Sequence, residues 1–202
     1  TIRAVSTRFK DSWTYFEDSS SLVRAIQKHI RHYPHSRFKQ DLVLTGGEPL
    51  LHLNNPVLTE TLDHFISRGH DLTIETNAAL PVSFEKNFLR QARFSMSVKL
   101  SNSGEKKEKR INFDTIKAIA DNTSHSYFKF VVSKDSWPKD KEEIFEILDN
   151  VDRAPDVYLM PLGGDFKTLQ ENTAFVVEKC IEHGFFYTDR THIRAWNTKE
   201  GV

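Results

Sequence analysis

Short apolar runs alternate with longer stretches of helical period along most of this chain, and that alternation limits the folds open to it. Residues 41–45 (DLVLT), 72–76 (LTIET), 93–98 (RFSMSV), 126–132 (SYFKFVV) and 156–160 (DVYLM) read as strands, rich in β-branched and aromatic residues. The segments between them read as helices. Leu58, Leu62, Phe65 and Ile66 share one face, a short helix covers 87–91, and another spans 111–120. Ile144, Ile147 and Leu148 mark the inner side of 139–150, and a long helix covers 168–183. Gly69 and Gly184 fall just past helix ends, where a left-handed residue closes the last turn. Ahead of these, residues 19–21 (SSS) are expected to cap a helix carrying Leu22, Val23, Ile26, Ile30 and Tyr33, stopped by Pro34. Residues 191–196 (THIRAW) are expected to form a last strand. The mixed-charge stretch 105–110 (EKKEKR) reads as a solvated loop or helix start.

Strands separated by helices imply an α/β chain with a mostly parallel sheet and helical crossovers. A partial or complete β/α barrel and an open doubly wound sheet both satisfy the pattern. In either, ligands gather at the carboxyl ends of the strands. Composition narrows the function. A formal net charge of +0 argues against a nucleic-acid surface, and 38% hydrophobic with 28% charged residues fits a globular domain. No apolar run approaches the ~20 residues a bilayer requires, so no membrane partner is expected. The single cysteine, Cys180, rules out an internal disulfide and a zinc ribbon, and suits a reducing, cytoplasmic setting; it reads as a small buried apolar residue. His29, His32 and His35 read as a solvated helix face rather than a metal site.

The strand ends carry the polar residues. Thr45-Gly46-Gly47-Glu48-Pro49 follows the first run, Glu75-Thr76-Asn77 the second, Ser97-Val98-Lys99 the third, and Met160-Pro161 the fifth. Gly46–Gly47 lets a ligand approach the backbone, or serves as a plain strand-to-helix turn. It is not a phosphate loop, because the lysine and hydroxyl residue that would follow are absent. Glu48 could accept from an ammonium. Glu75 offers an acceptor pair suited to a ribose diol, or is simply solvated. Lys99 and Ser97 could meet a ligand carboxylate. His192 reads as structural or as a ligand contact. No serine or cysteine nucleophile pairs with a histidine in a hydrolase motif.

LTGGEP followed by TIETN resembles the radical S-adenosylmethionine (SAM) superfamily. Ser97-Val98-Lys99, Met160–Pro161 and the tail RTHIRAWNTKEGV are similar to segments of the 7-carboxy-7-deazaguanine synthase family, with valine where that family has proline. The resemblance implies a partial (β/α) barrel of the radical SAM type and one core domain over residues 1–202. It implies SAM binding by Gly46, Gly47, Glu48, Glu75, Ser97 and Lys99, with Met160 near adenine, and substrate contact by Thr45 and His192. The implied reaction converts 6-carboxy-5,6,7,8-tetrahydropterin to 7-carboxy-7-deazaguanine with loss of ammonia, a lyase step in queuosine and 7-deazapurine biosynthesis. SAM, a [4Fe–4S] cluster and Mg²⁺ are the implied cofactors. A flavodoxin- or ferredoxin-like electron donor and a homodimer are the implied partners. The three cluster cysteines of the superfamily are not in the sequence. Thr1 matches the family's Mg²⁺-contacting threonine just after them, which would leave the first strand and cluster loop ahead of this chain. Two alternatives stay open: another radical SAM enzyme, such as a glycyl-radical activase, or a β/α domain that binds a nucleotide-like ligand without catalysis.

Overall fold

A computed structural model describes residues 14–31, 39–153 and 155–199. A single six-stranded sheet organises them: β1 (Leu42–Leu44), β2 (Leu72–Thr76), β3 (Arg93–Met96), β4 (Tyr127–Val132), β5 (Asp156–Pro161) and β6 (Phe186–Tyr187), in the order β1-β2-β3-β4-β5-β6. Every neighbouring pair is parallel. Strand order therefore follows chain order, and each strand is joined to the next by a crossover containing helix.

The crossovers hold α2 (Pro56–Ile66), α3 (Asn87–Gln91), α4 (Lys107–Arg110), α5 (Phe113–Asn122), α6 (Trp137–Asp149) and α7 (Phe166–His183). α1 (Ser19–Arg31) precedes the sheet and α8 (Thr191–Trp196) follows it. Sequence signals account for most boundaries. Asn55 caps α2 by accepting from Val57 N at 2.9 Å, and Pro56 follows at a position whose N–H needs no partner. Asp165 caps α7 by accepting from Thr168 N at 2.9 Å, so α7 starts two residues before the expected 168. Gly69 (φ 77°) and Gly184 (φ 69°) close their helices in the left-handed region, as read from the sequence. Asp18, rather than the serines after it, caps α1: Ser21 N donates to its Oδ1 at 2.8 Å. Tyr33, Pro34, His32 and His35 lie outside the described residues.

Alternation along the strands sorts the sheet into two faces. Ile74, Phe94, Met96, Phe128, Phe130, Val132 and Leu159 are fully buried on one face, with α6 against β4 and α7 against β5. The opposite face carries Glu75, Ser95, Tyr127, Lys129, Tyr158 and Met160. Seen from that side, the sheet is the floor of a groove. No helix among the described residues is long and apolar enough to cross a membrane.

One expectation fails and another holds only in part. Residues 191–196 are helical, not a strand. Arg194 on α8 bonds Asp189 (Nε to Oδ2, 2.9 Å) and Thr173 on α7 (Nη2 to Oγ1, 2.7 Å), and these ties set a helical turn against α7 where six residues alone are compatible with either period. The stretch 105–110 does start a helix, α4, with residues 105–109 exposed, but its last residue is not solvated. Arg110 is 4% exposed and paired with the buried Glu143.

Candidate functional site

At the end of β1 the backbone turns through two left-handed glycines, Gly46 (φ 90°) and Gly47 (φ 58°), a conformation costly for any residue with a Cβ. The turn sends Glu48 back under the strand ends. Glu48 is 9% exposed and accepts three hydrogen bonds, from Leu50 N (3.1 Å), Thr76 Oγ1 (2.5 Å) and Asn77 N (2.9 Å). Its carboxylate rivets the β1 loop to the end of β2. Pro49, next in line, opens a 3₁₀ turn (Pro49–His52).

Glu75 stands on the groove face one residue before the end of β2. Thr45 Oγ1 donates to its Oε2 at 2.8 Å, and Lys129 Nζ donates to its Oε1 at 3.3 Å. Strands ~4.8 Å apart put β2 and β4 roughly 10 Å apart, so Glu75 and Lys129 meet by leaning over β3. Ser95, in register with Glu75, lies at that level. Its hydroxyl is buried and has no hydrogen-bond partner among the described residues. The Glu75 side chain keeps 37% exposure. Two of its roughly four acceptor positions are used, and the rest are open to a ligand donor.

Ser97 follows β3, with its N–H donating to Thr76 O at 2.7 Å. Lys99 is exposed on the loop that continues from it. A buried network fastens this loop. Arg110 donates to Lys99 O (2.9 Å), Glu105 O (3.1 Å) and Glu143 Oε1 (2.5 Å), and Ser101 N donates to Glu143 Oε2 (2.7 Å). Burial pushes the Glu143 carboxyl up, but the bonds from Arg110 and the Ser101 amide outweigh it and leave it below the usual range. Beside it, Asn102 Nδ2 donates to Val131 O and Asp140 Oδ2, each at 2.8 Å. Burial holds Asp140 above the ordinary carboxylate range despite bonds from Ser136 and Asn102.

A cavity of about 710 Å³ lies over the groove face, lined by Glu75, Tyr127, Lys129, Tyr158, Met160 and Asp189 among others. Thr45, Gly46, Gly47, Glu48 and Glu75 are thus brought together at the ends of β1 and β2, with Ser97 on the neighbouring strand end. Met160 faces the same cavity from β5. His192 is exposed on α8, outside the cavity lining, and the strand setting expected for it is overturned. Thr1 lies outside the described residues. Lys129, in the middle of β4, was given no role by the sequence; its signal is a lone lysine among the apolar residues of YFKFVV. Arg110 and Glu143 gave no signal, being 33 residues apart.

The donor set suits the ribose and amino-acid ends of SAM: an accessible, steered carboxylate beside a backbone turn with no Cβ. It does not suit an iron–sulfur cluster. Cys180 is the single cysteine and is buried in α7, and no group of three or more potential metal ligands occurs among the described residues. No step is therefore assigned through a cluster.

No protein-family model matches the chain. It is 31% identical over 192 residues to 7-carboxy-7-deazaguanine synthase of Halobacterium salinarum, covering 87% of this chain and 71% of the relative. It is 30% identical over 162 residues to the protein of the same name from Pyrobaculum aerophilum, covering 79% and 67%. Among solved structures, SuiB of Streptococcus suis superposes with a TM-score of 0.58 at 14% identity, over 86% of this chain and 43% of SuiB. A radical SAM methyltransferase of Sphaerobacter thermophilus superposes with a TM-score of 0.53 at 14% identity, over 88% and 59%. The chain spans less than two thirds of either solved structure, and at that identity the likeness is one of fold.

Proposed function

The chain belongs to the 7-carboxy-7-deazaguanine synthase family, and from that premise we propose that it binds SAM at the ends of β1–β3 and serves the conversion of 6-carboxy-5,6,7,8-tetrahydropterin to 7-carboxy-7-deazaguanine with loss of ammonia. The observation that carries the reading is Glu75, half-exposed and steered by Thr45 and Lys129 beside the Gly46–Gly47 turn.

When bound, SAM supplies the adenosyl group that takes a hydrogen from the substrate. The residues of this chain bind and orient. Glu75 accepts from the ribose hydroxyls. The Gly46–Gly47 backbone and Glu48 meet the methionine end, and Glu48 also keeps that turn fixed to the end of β2. Ser97 and Lys99 answer the SAM carboxylate from the loop that Arg110 and Glu143 hold. Met160 packs on adenine, and Thr45 and His192 contact the pterin. In this reading Thr1 contacts Mg²⁺, and a [4Fe–4S] cluster, for which the described residues offer no ligand set, receives electrons from a flavodoxin- or ferredoxin-like protein. The 202 residues act as one core domain of a cytoplasmic homodimer.

The test expresses the full-length gene, reconstitutes the protein anaerobically with iron and sulfide, and supplies SAM, 6-carboxytetrahydropterin, Mg²⁺ and a strong reductant. Formation of 7-carboxy-7-deazaguanine is expected, with loss of about 100-fold or more on Glu75→Ala. SAM cleavage without that product would refute the substrate. A full-length protein unable to bind a cluster would favour the non-catalytic ligand-binding alternative.

A further inference from the structure

Glu75 and Lys129 are not neighbours in the sheet. Glu75 pairs with Ser95 across β2 and β3, and Ser95 pairs with Tyr127 across β3 and β4. Lys129 lies two residues beyond Tyr127, on the same face of β4. At ~3.3 Å per residue and ~4.8 Å per strand, its Cα is roughly 12 Å from that of Glu75, so both side chains must extend to meet. Ser95 is the residue they pass over. Its side chain is small and fully buried, and its hydroxyl has no partner among the described residues. A longer side chain there would stand in the path of the bond. The Lys129 ammonium has Glu75 as its single partner among the described residues. Each oxygen of the Glu75 carboxylate is thus tied from a different side, Oε2 by Thr45 at the end of β1 and Oε1 by Lys129 on β4.

We infer that Lys129 is a positioning residue for SAM, acting through Glu75 and not by touching the ligand. A glutamate free to rotate must be ordered when a diol binds it, at a cost set by the rotamers it loses. The bond to Lys129 removes that cost in advance, because the carboxylate stands fixed before the ribose arrives. Thr45 alone holds one oxygen and leaves the other free to swing. Ser95 contributes by being small, which lets a lysine on β4 reach a glutamate on β2. The inference rests on the reading of Glu75 as the ribose acceptor, and it adds a residue outside the segments that resemble the synthase family.

The test titrates the full-length protein, reconstituted anaerobically, with SAM by calorimetry, as a double-mutant cycle. Lys129→Met should weaken SAM by about 10-fold, the scale of ordering one long side chain on binding. Lys129→Arg, which keeps the charge and the reach, should recover most of that loss. In the Glu75→Ala background no carboxylate is left to orient, so Lys129→Met should weaken SAM no further. Ser95→Val leaves both charged groups in place and narrows only the path between them, and it should weaken SAM by a similar factor. Equal weakening by Lys129→Met in both backgrounds would overturn the inference and make Lys129 a direct SAM contact. Unchanged SAM affinity in Lys129→Met and Ser95→Val, with Glu75→Ala still weakening it, would overturn the inference and leave the synthase reading intact. Failure of Glu75→Ala to weaken SAM would overturn the ribose reading and this inference together.

Discussion

Replacing Arg110 with methionine removes a cation that is 4% exposed and leaves its partners stranded. Glu143 keeps only the Ser101 amide, and the carbonyls of Lys99 and Glu105 lose their donor. Removing one member of a buried pair costs about 3–5 kcal/mol, and the methionine side chain returns ~1 kcal/mol of apolar packing. The expected loss is therefore about 3 kcal/mol. In a chain of 202 residues that corresponds to a fall in Tm of roughly 10 °C. Urea unfolding followed by circular dichroism reads the free energy directly. The double variant Arg110→Met/Glu143→Leu should recover about 2 kcal/mol of the summed single losses, because neither charge is then left buried alone. Sign and pH window follow from Glu143. Its folded pKa is depressed, so its contribution is present above the unfolded glutamate value of about 4.3 and is lost as pH falls through the folded value. The deficit of Arg110→Met should thus narrow below pH ~4. Strict additivity of the two substitutions at pH 7 would show that the pair is not coupled and that the loop carrying Lys99 is held by something else.

Gly163 is buried, and an added Cβ would lie 2.5 Å from Leu169 N and 2.6 Å from Leu169 Cα, so Gly163→Ala should cost about 3 kcal/mol in a thermal melt; Gly164→Ala, with nothing within 4 Å, should stay within ~0.5 kcal/mol. Asp140 has a raised folded pKa, so its contribution falls as pH rises through that value. Asp140→Asn keeps an acceptor for Asn102 without the charge, and its Tm relative to the unsubstituted protein should be higher at pH 8 than at pH 4; the reverse trend would refute the assignment. Burial raises the Cys180 thiol and covers it, so Ellman's reagent should label the folded protein at least ~100-fold more slowly than the protein in urea.

The strands were legible because a parallel strand with one buried face needs apolar residues wherever it occurs, and DLVLT or LTIET fits no other use well. The glycine caps were legible because a left-handed closing residue is a local demand, met by Gly69 and Gly184. What could not be read from local pattern was anything set by a distant partner. THIRAW was misread because its helical turn depends on Arg194 reaching Thr173, and Arg110 looked solvated because Glu143 lies 33 residues on. The cluster of polar residues at the ends of β1 and β2 was foreseeable from strand ends alone. The bond from Lys129 to Glu75 was not, since it exists only once β2, β3 and β4 are in register.

Strand order that follows chain order has a consequence for how such a molecule is made. During synthesis each strand leaves the ribosome after the strand it will pair with, and no strand must wait for a later one to be inserted between it and its neighbour. The fresh edge offered by each of β1 to β5 is covered by the next strand within one crossover. Every pairing is as local as a parallel sheet permits, which keeps the entropy of loop closure close to its minimum for this architecture.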